Sequence, residues 1–194
     1  MKLLYAEDEP ALSEAVVDYL TYHKYIVDAV YDGADAYDYA MSGEYDGIIL
    51  GGGHVPTQKQ FFDEIHLREK LEGFDGIVMG ISAGTMNSAE LVYSTPELEG
   101  EAINPEYQRF LQGLGLTDIM VIPHIQKARY DVIDGLRLIE DIVVPDSKER
   151  VFWALPDGSY ILQKDGKEVL YGEAIRIANG NIRSIEAPEG RLLT

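Results

Sequence analysis

Cysteine is absent from the 194 residues, which excludes a disulfide framework, a thiolate metal site and a cysteine nucleophile. No window approaches the roughly 20 apolar residues that a helical membrane span needs, and the N-terminus starts as a strand rather than a signal peptide. The expected location is therefore the cytoplasm, with no membrane partner. Basic residues are scarce: 16 Lys and Arg stand against 34 Asp and Glu, a formal net charge of −18. Binding a nucleic-acid backbone needs clustered cations, so no nucleic-acid partner is expected. With four histidines in the chain, imidazole chemistry has few possible places.

What is present is unevenly distributed. Residues 1–50 hold eleven acids against Lys2 and Lys24, no arginine, and eight of the thirteen tyrosines. The composition changes near residue 50, where Gly51-Gly52-Gly53 begins a more mixed and glycine-rich sequence. Lys2 to Ala6 reads as a strand stopped by Glu7-Asp8-Glu9-Pro10. Leu12, Ala15, Val16, Tyr19 and Leu20 recur at helical spacing and predict a buried helix face. Tyr25 to Val30 is a second strand, Ala34 to Met41 a second helix, and Asp46 to Leu50 a third strand. This βαβαβ alternation predicts a parallel sheet with right-handed crossovers. Gln58 to Leu71 then reads as one amphipathic helix, ended by Gly73.

The stretch Ile77-Val78-Met79-Gly80-Ile81-Ser82-Ala83-Gly84-Thr85 carries the chemistry. An apolar strand runs into Gly-x-Ser-x-Gly and a small-residue helix leaves it, the pattern of a nucleophile elbow. Glycines flank the serine because a Cβ at either position would collide with crowded backbone. Ser82 would then be the nucleophile, with the Ala83 N–H aimed at a developing oxyanion. A serine needs an imidazole to accept its proton. His124 is the histidine that follows an apolar strand, Ile119 to Pro123, and is the candidate base; His23 and His66 lie in charged or loop surroundings.

Two family resemblances meet at residue 50. Residues 1–50, through Glu7-Asp8, Tyr31-Asp32-Gly33 and Tyr45-Asp46-Gly47-Ile48-Ile49-Leu50, resemble the first half of a response-regulator receiver domain. The phosphoacceptor aspartate of that family is replaced by Gly51. Glu7 and Asp8 remain a weak divalent-cation candidate, because two carboxylates without a third make a poor Mg²⁺ site. From Gly51 onward, through Gly51-Gly52-Gly53, Gly80-Ile81-Ser82-Ala83-Gly84 and Ile122-Pro123-His124, the chain resembles the peptidase E family of serine peptidases, which includes aspartyl dipeptidases and cyanophycinases. That resemblance implies Ser82 as nucleophile, His124 as base and an oxyanion hole from the N–H groups of Gly53 and Ala83. By the family's spacing the third triad member falls at or near Glu97, with Glu99 and Glu101 competing. His54 departs from the asparagine usual in the dipeptidases.

The expected fold is a three-layer α/β/α domain with a mostly parallel sheet, of flavodoxin-like or class I glutamine amidotransferase-like type, carrying antiparallel hairpins at its C-terminus. The hairpins are signalled by Asp157-Gly158, Asp165-Gly166 and Asn179-Gly180 between short β runs, with Phe152 and Trp153 as core. Asn104 to Gly115 reads as a loop and a short helix. Residues 1–194 are expected to form one composite domain, with a receiver-like part over 1–50 and a peptidase E-like part over 51–194. A join between two families at equivalent strand ends implies a chimera, of engineered origin. The function expected is serine-type hydrolysis of short peptides, with aspartyl dipeptides as candidate substrates, without a cofactor; Lys127, Arg129 and Arg137 are candidates for a substrate carboxylate. The alternatives are a chimeric scaffold of little or no activity and a vestigial receiver or binding module.

Overall fold

The computed structural model describes residues 1–7, 10–43 and 45–193. They form two compact units, Met1–Thr85 and Met86–Thr194. Among the described residues no helix is long and apolar enough to cross a membrane.

The first unit alternates strand and helix: β1 (Lys2–Ala6), α1 (Pro10–Tyr22), β2 (Ile26–Val30), α2 (Gly33–Ser42), β3 (Gly47–Leu50), α3 (Val55–Glu64), α4 (Leu67–Lys70) and β4 (Ile77–Gly80), followed by α5 (Ala83–Asn87). The strands pair in parallel in the order β2-β1-β3-β4, the opening of the flavodoxin-like strand order. Local chemistry sets the helix ends. Asp32 caps α2, its carboxylate accepting the Asp35 N–H at 2.8 Å. Pro56 occupies the first turn of α3, where a missing N–H costs nothing. Residues 1–50 are not a unit of their own, because β3 pairs with β4 from Gly47↔Ile77 to Leu50↔Gly80.

Two helical expectations change. On α1 the inward side is carried by Ser13, which is fully buried, with Val16, Val17 and Leu20 half-buried, while Tyr19 is 65% exposed. These inward residues keep the helical spacing, one position round from the expected face, and the small Ser13 lets the helix lie close. The side chain of Leu12 lies outside the described residues. The expected helix over Gln58 to Leu71 is broken instead: it starts at Val55, ends at Glu64, and resumes as α4 after His66, whose φ of 53° is left-handed. Phe62 and Leu71 still point inward.

The second unit comprises β5 (Leu91–Tyr93), β6 (Phe110–Gln112), β7 (Met120–Ile122), α6 (Ile125–Ala128), β8 (Val132–Ile133), β9 (Leu136–Arg137), a π-helical turn (Leu138–Val143), α7 (Val144–Asp146), a 3₁₀ turn (Ser147–Glu149), β10 (Val151–Ala154), β11 (Tyr160–Lys164), β12 (Lys167–Ala178) and β13 (Asn181–Leu192). β7 and β10 run parallel; β10, β11 and β13 are antiparallel to the long β12. Asp165-Gly166 (φ 52° and 70°) and Asn179-Gly180 (φ 52° and 73°) make the two-residue turns on either side of β12, as their sequence foretells. The helix expected within Asn104 to Gly115 is absent; Phe110–Gln112 is instead the strand β6, paired antiparallel with β5.

Phe152 and Trp153 are both core, on opposite faces of β10. Phe152 packs with Tyr93, Ile122, Ile142 and Ile177, whereas Trp153 packs with Leu155, Leu170, Ala174 and Ile185. Tyr93 stacks on Phe152 at 4.2 Å between ring centres, and its hydroxyl donates to Asp146 at 2.9 Å. Burial, and the neighbouring Asp146 carboxylate, push the Tyr93 phenol far above its ordinary pKa.

Candidate active site

In the first unit, β4 ends at Gly80 and α5 begins at Ala83, leaving Ile81 and Ser82 to make the turn. Ser82 takes φ 54°, a left-handed value uncommon for a residue other than glycine, asparagine, aspartate or histidine. The constraint is visible in its neighbours: Ile81 N–H donates to Leu50 at 2.8 Å, and Gly84 N–H to Gly51 at 2.9 Å. A Cβ on Gly84 would sit 2.1 Å from the Leu50 carbonyl oxygen, and one on Gly80 would sit 2.6 Å from Thr85 Cα. Both glycines of Gly-x-Ser-x-Gly are therefore sterically required.

The triple-glycine loop after β3 lies against this serine. A Cβ on Gly52 would stand 3.5 Å from Ser82 Cβ and 3.8 Å from its Oγ. Gln58, one turn into α3, holds the loop by donating from Nε2 to the carbonyls of Gly51 at 2.9 Å and Gly52 at 3.3 Å. Gly53 takes φ 138°, a conformation open to glycine. The Ala83 N–H belongs to the first turn of α5, where a helix supplies no acceptor of its own. His54 is turned to its own helix, with Nδ1 2.9 Å from Thr57 Oγ1.

In the second unit, β7 and β10 are parallel neighbours, with Ile122 opposite Ala154, so the residues after each strand emerge side by side. Leu155 N–H donates to the Ile122 carbonyl at 2.9 Å, and Ile125 N–H to Leu155 at 3.1 Å. His124 stands in this seam at φ 55°, its Nδ1 2.5 Å from Asp157 Oδ1. The hydrogen bond with His124 holds the Asp157 carboxyl below its ordinary range. A carboxylate can only accept, so in the neutral ring the proton sits on Nδ1 and Nε2 presents a lone pair. Asp157 N–H in turn donates to Gln126 Oε1 at 3.2 Å, fixing the carboxylate's loop.

No family model matches the chain. Among solved structures, a crystal structure of a protein assigned as a peptidase E from Listeria monocytogenes EGD-e superposes with a TM-score of 0.52 at 13% identity, covering 95% of this chain and 85% of that one. The chain has a peptidase E-like fold. Among curated proteins, Protein RcaC of Microchaete diplosiphon is 46% identical over 50 residues, which is 26% of this chain and 8% of that protein.

Within the peptidase E-like fold, the remaining candidates are placed as follows. Glu97 is exposed, and its N–H, with that of Leu98, donates to Glu101 Oε2 at 2.8 and 2.9 Å, so Glu101 closes a turn. Glu99 is exposed in the same loop. The carboxylate at the His124 ring is Asp157, for which the sequence offered a turn signal in Pro156-Asp157-Gly158 and nothing more. The clue that could have found it is that β10 ends beside β7. Arg137 is engaged by Asp141, with Nε and one terminal nitrogen at 3.0 and 2.8 Å, and this fork pulls Asp141 down to about 2. Arg129 lies over the Tyr130 ring at 5.8 Å, and Lys127 is exposed near Asp157. Glu7 accepts from the Tyr5 hydroxyl at 3.4 Å. Asp8, its expected partner in a cation site, lies outside the described residues, and among the described residues no group of three His, Cys, Asp or Glu gathers that could hold a metal.

Proposed function

We propose that the chain is a serine-type hydrolase of short peptides that works through an acyl-enzyme on Ser82. The observation that carries this reading is the strained Ser82 backbone, φ 54°, held between two sterically required glycines at the end of a parallel strand in a peptidase E-like fold. Ser82 Oγ attacks the scissile carbonyl carbon while His124 Nε2 takes the hydroxyl proton. The N–H groups of Gly53 and Ala83 meet the oxyanion. Collapse breaks the C–N bond, the amine leaves with the proton from His124, and water then releases the acid by the same route.

Asp157 takes the orienting role in this proposal, in place of Glu97, supported by its contact with His124 Nδ1. Lys127 and Arg129 are the cations proposed for a substrate carboxylate, since Arg137 is already paired. Aspartyl dipeptides are the proposed substrate class. A panel of dipeptides with N-terminal aspartate, followed by mass spectrometry of released amino acids, is expected to show turnover that Ser82→Ala abolishes. Turnover that survives Ser82→Ala, or none from folded protein, contradicts the proposal.

A second reading concerns ancestry. We propose that the chain is assembled from two sources, a reading that rests on the receiver-like motifs of residues 1–50 and is supported by the 46% identity over 50 residues to part of a much longer protein.

A further inference from the structure

We infer that the second unit carries a binding site for a small polyanion, walled by Arg176, Arg183 and Arg191 over the indole of Trp153. These residues, with Ile185, Leu192 and Leu193, line a half-open cavity of about 170 Å³ on the Trp153 face of the β-sheet. The register places the charges there by construction. Trp153 of β10 is opposite Arg176 of β12, and Arg176 is opposite Arg183 of β13. Beyond the irregularity between Leu170 and Gly172, Arg191 is opposite Leu170, which belongs to the same apolar cluster as Trp153.

Two like charges directly across an antiparallel pair repel, and a sheet built for stability alone would place an acid at one of them. Acids are abundant in this chain, 34 against 16 bases, yet none of the three guanidiniums forms an ion pair among the described residues. Arg176 lies over the Trp153 ring at 6.0 Å, which keeps its charge beside the indole. Leu193 is tied beside the cavity by its N–H donating to the Glu168 carbonyl at 2.8 Å. Guanidinium forks match the paired oxygens of phosphate and carboxylate, so the ligand class is a small molecule with a phosphate or several carboxylates. The cavity volume suits such a molecule and is too small for a nucleic acid strand or a folded partner. None of its lining residues belongs to the proposed hydrolytic machinery, so this inference stands apart from that reading.

Trp153 is the chain's one tryptophan, and its emission reports on the cavity directly. Inorganic phosphate and citrate are titrated separately into the whole protein at ionic strength held constant with sodium chloride. A saturable change in emission is expected with one or both, the two arms distinguishing phosphate from polycarboxylate recognition, and Arg183→Gln and Arg191→Gln should each weaken binding at least about tenfold. Both sites are exposed, and far-UV circular dichroism checks that the variants fold. No saturable change with either anion, a change that chloride reproduces, or undiminished affinity in both folded variants overturns the inference.

Discussion

Ser82 and His124 both sit in the left-handed region of backbone space, at φ 54° and 55°, and serine is not a residue that favours it. At Ser82 the strain has a direct test. Ser82→Gly removes both the hydroxyl and the Cβ, whereas Ser82→Ala removes the hydroxyl alone. Urea unfolding is expected to find the glycine variant more stable than the alanine variant by about 1 kcal/mol. Equal stability, or a more stable alanine variant, would mean that the turn is unstrained. At this scale the serine was legible because its geometry is compressed into five consecutive residues. Asp157 was not: it is 33 residues from His124, and their meeting depends on which strands pair.

Among elements, the turn between β4 and α5 is tightly packed. Gly84→Ala drives a Cβ to 2.1 Å from the Leu50 carbonyl, so β3 or α5 must shift; Gly51→Ala meets nothing within 4 Å. Chemical denaturation is expected to show a loss of about 2–4 kcal/mol for Gly84→Ala and under about 0.5 kcal/mol for Gly51→Ala. Similar costs for the two would show that the elbow glycines are not sterically required. The strand-and-helix alternation and both two-residue turns flanking β12 were readable, since their signals are local. The break at His66 and the strand Phe110–Gln112 were not. The strand is settled by its pairing with β5, which outweighs local propensity, and the break by the left-handed backbone of His66 at φ 53°.

Across the whole molecule the dominant feature is the net charge of −18, which opposes compactness through self-repulsion. Raising sodium chloride from about 0.02 to 0.5 M shortens the range of these forces to a few ångströms and is expected to raise the midpoint of thermal unfolding by at least about 2–4 °C. A flat or falling midpoint would show that the acids are already balanced locally. Composition announced this charge but not the clustering of Arg176, Arg183 and Arg191, which only the register of β12 on β13 brings together.

The most direct test of the central claim is stoichiometric labelling by a fluorophosphonate probe, with the intact mass showing how many serines react. The account predicts close to one equivalent on Ser82 in the parent, none in Ser82→Ala, and labelling lost in His124→Ala and slowed in Asp157→Asn. Folded parent protein that takes no label, or label that persists in Ser82→Ala, would contradict it.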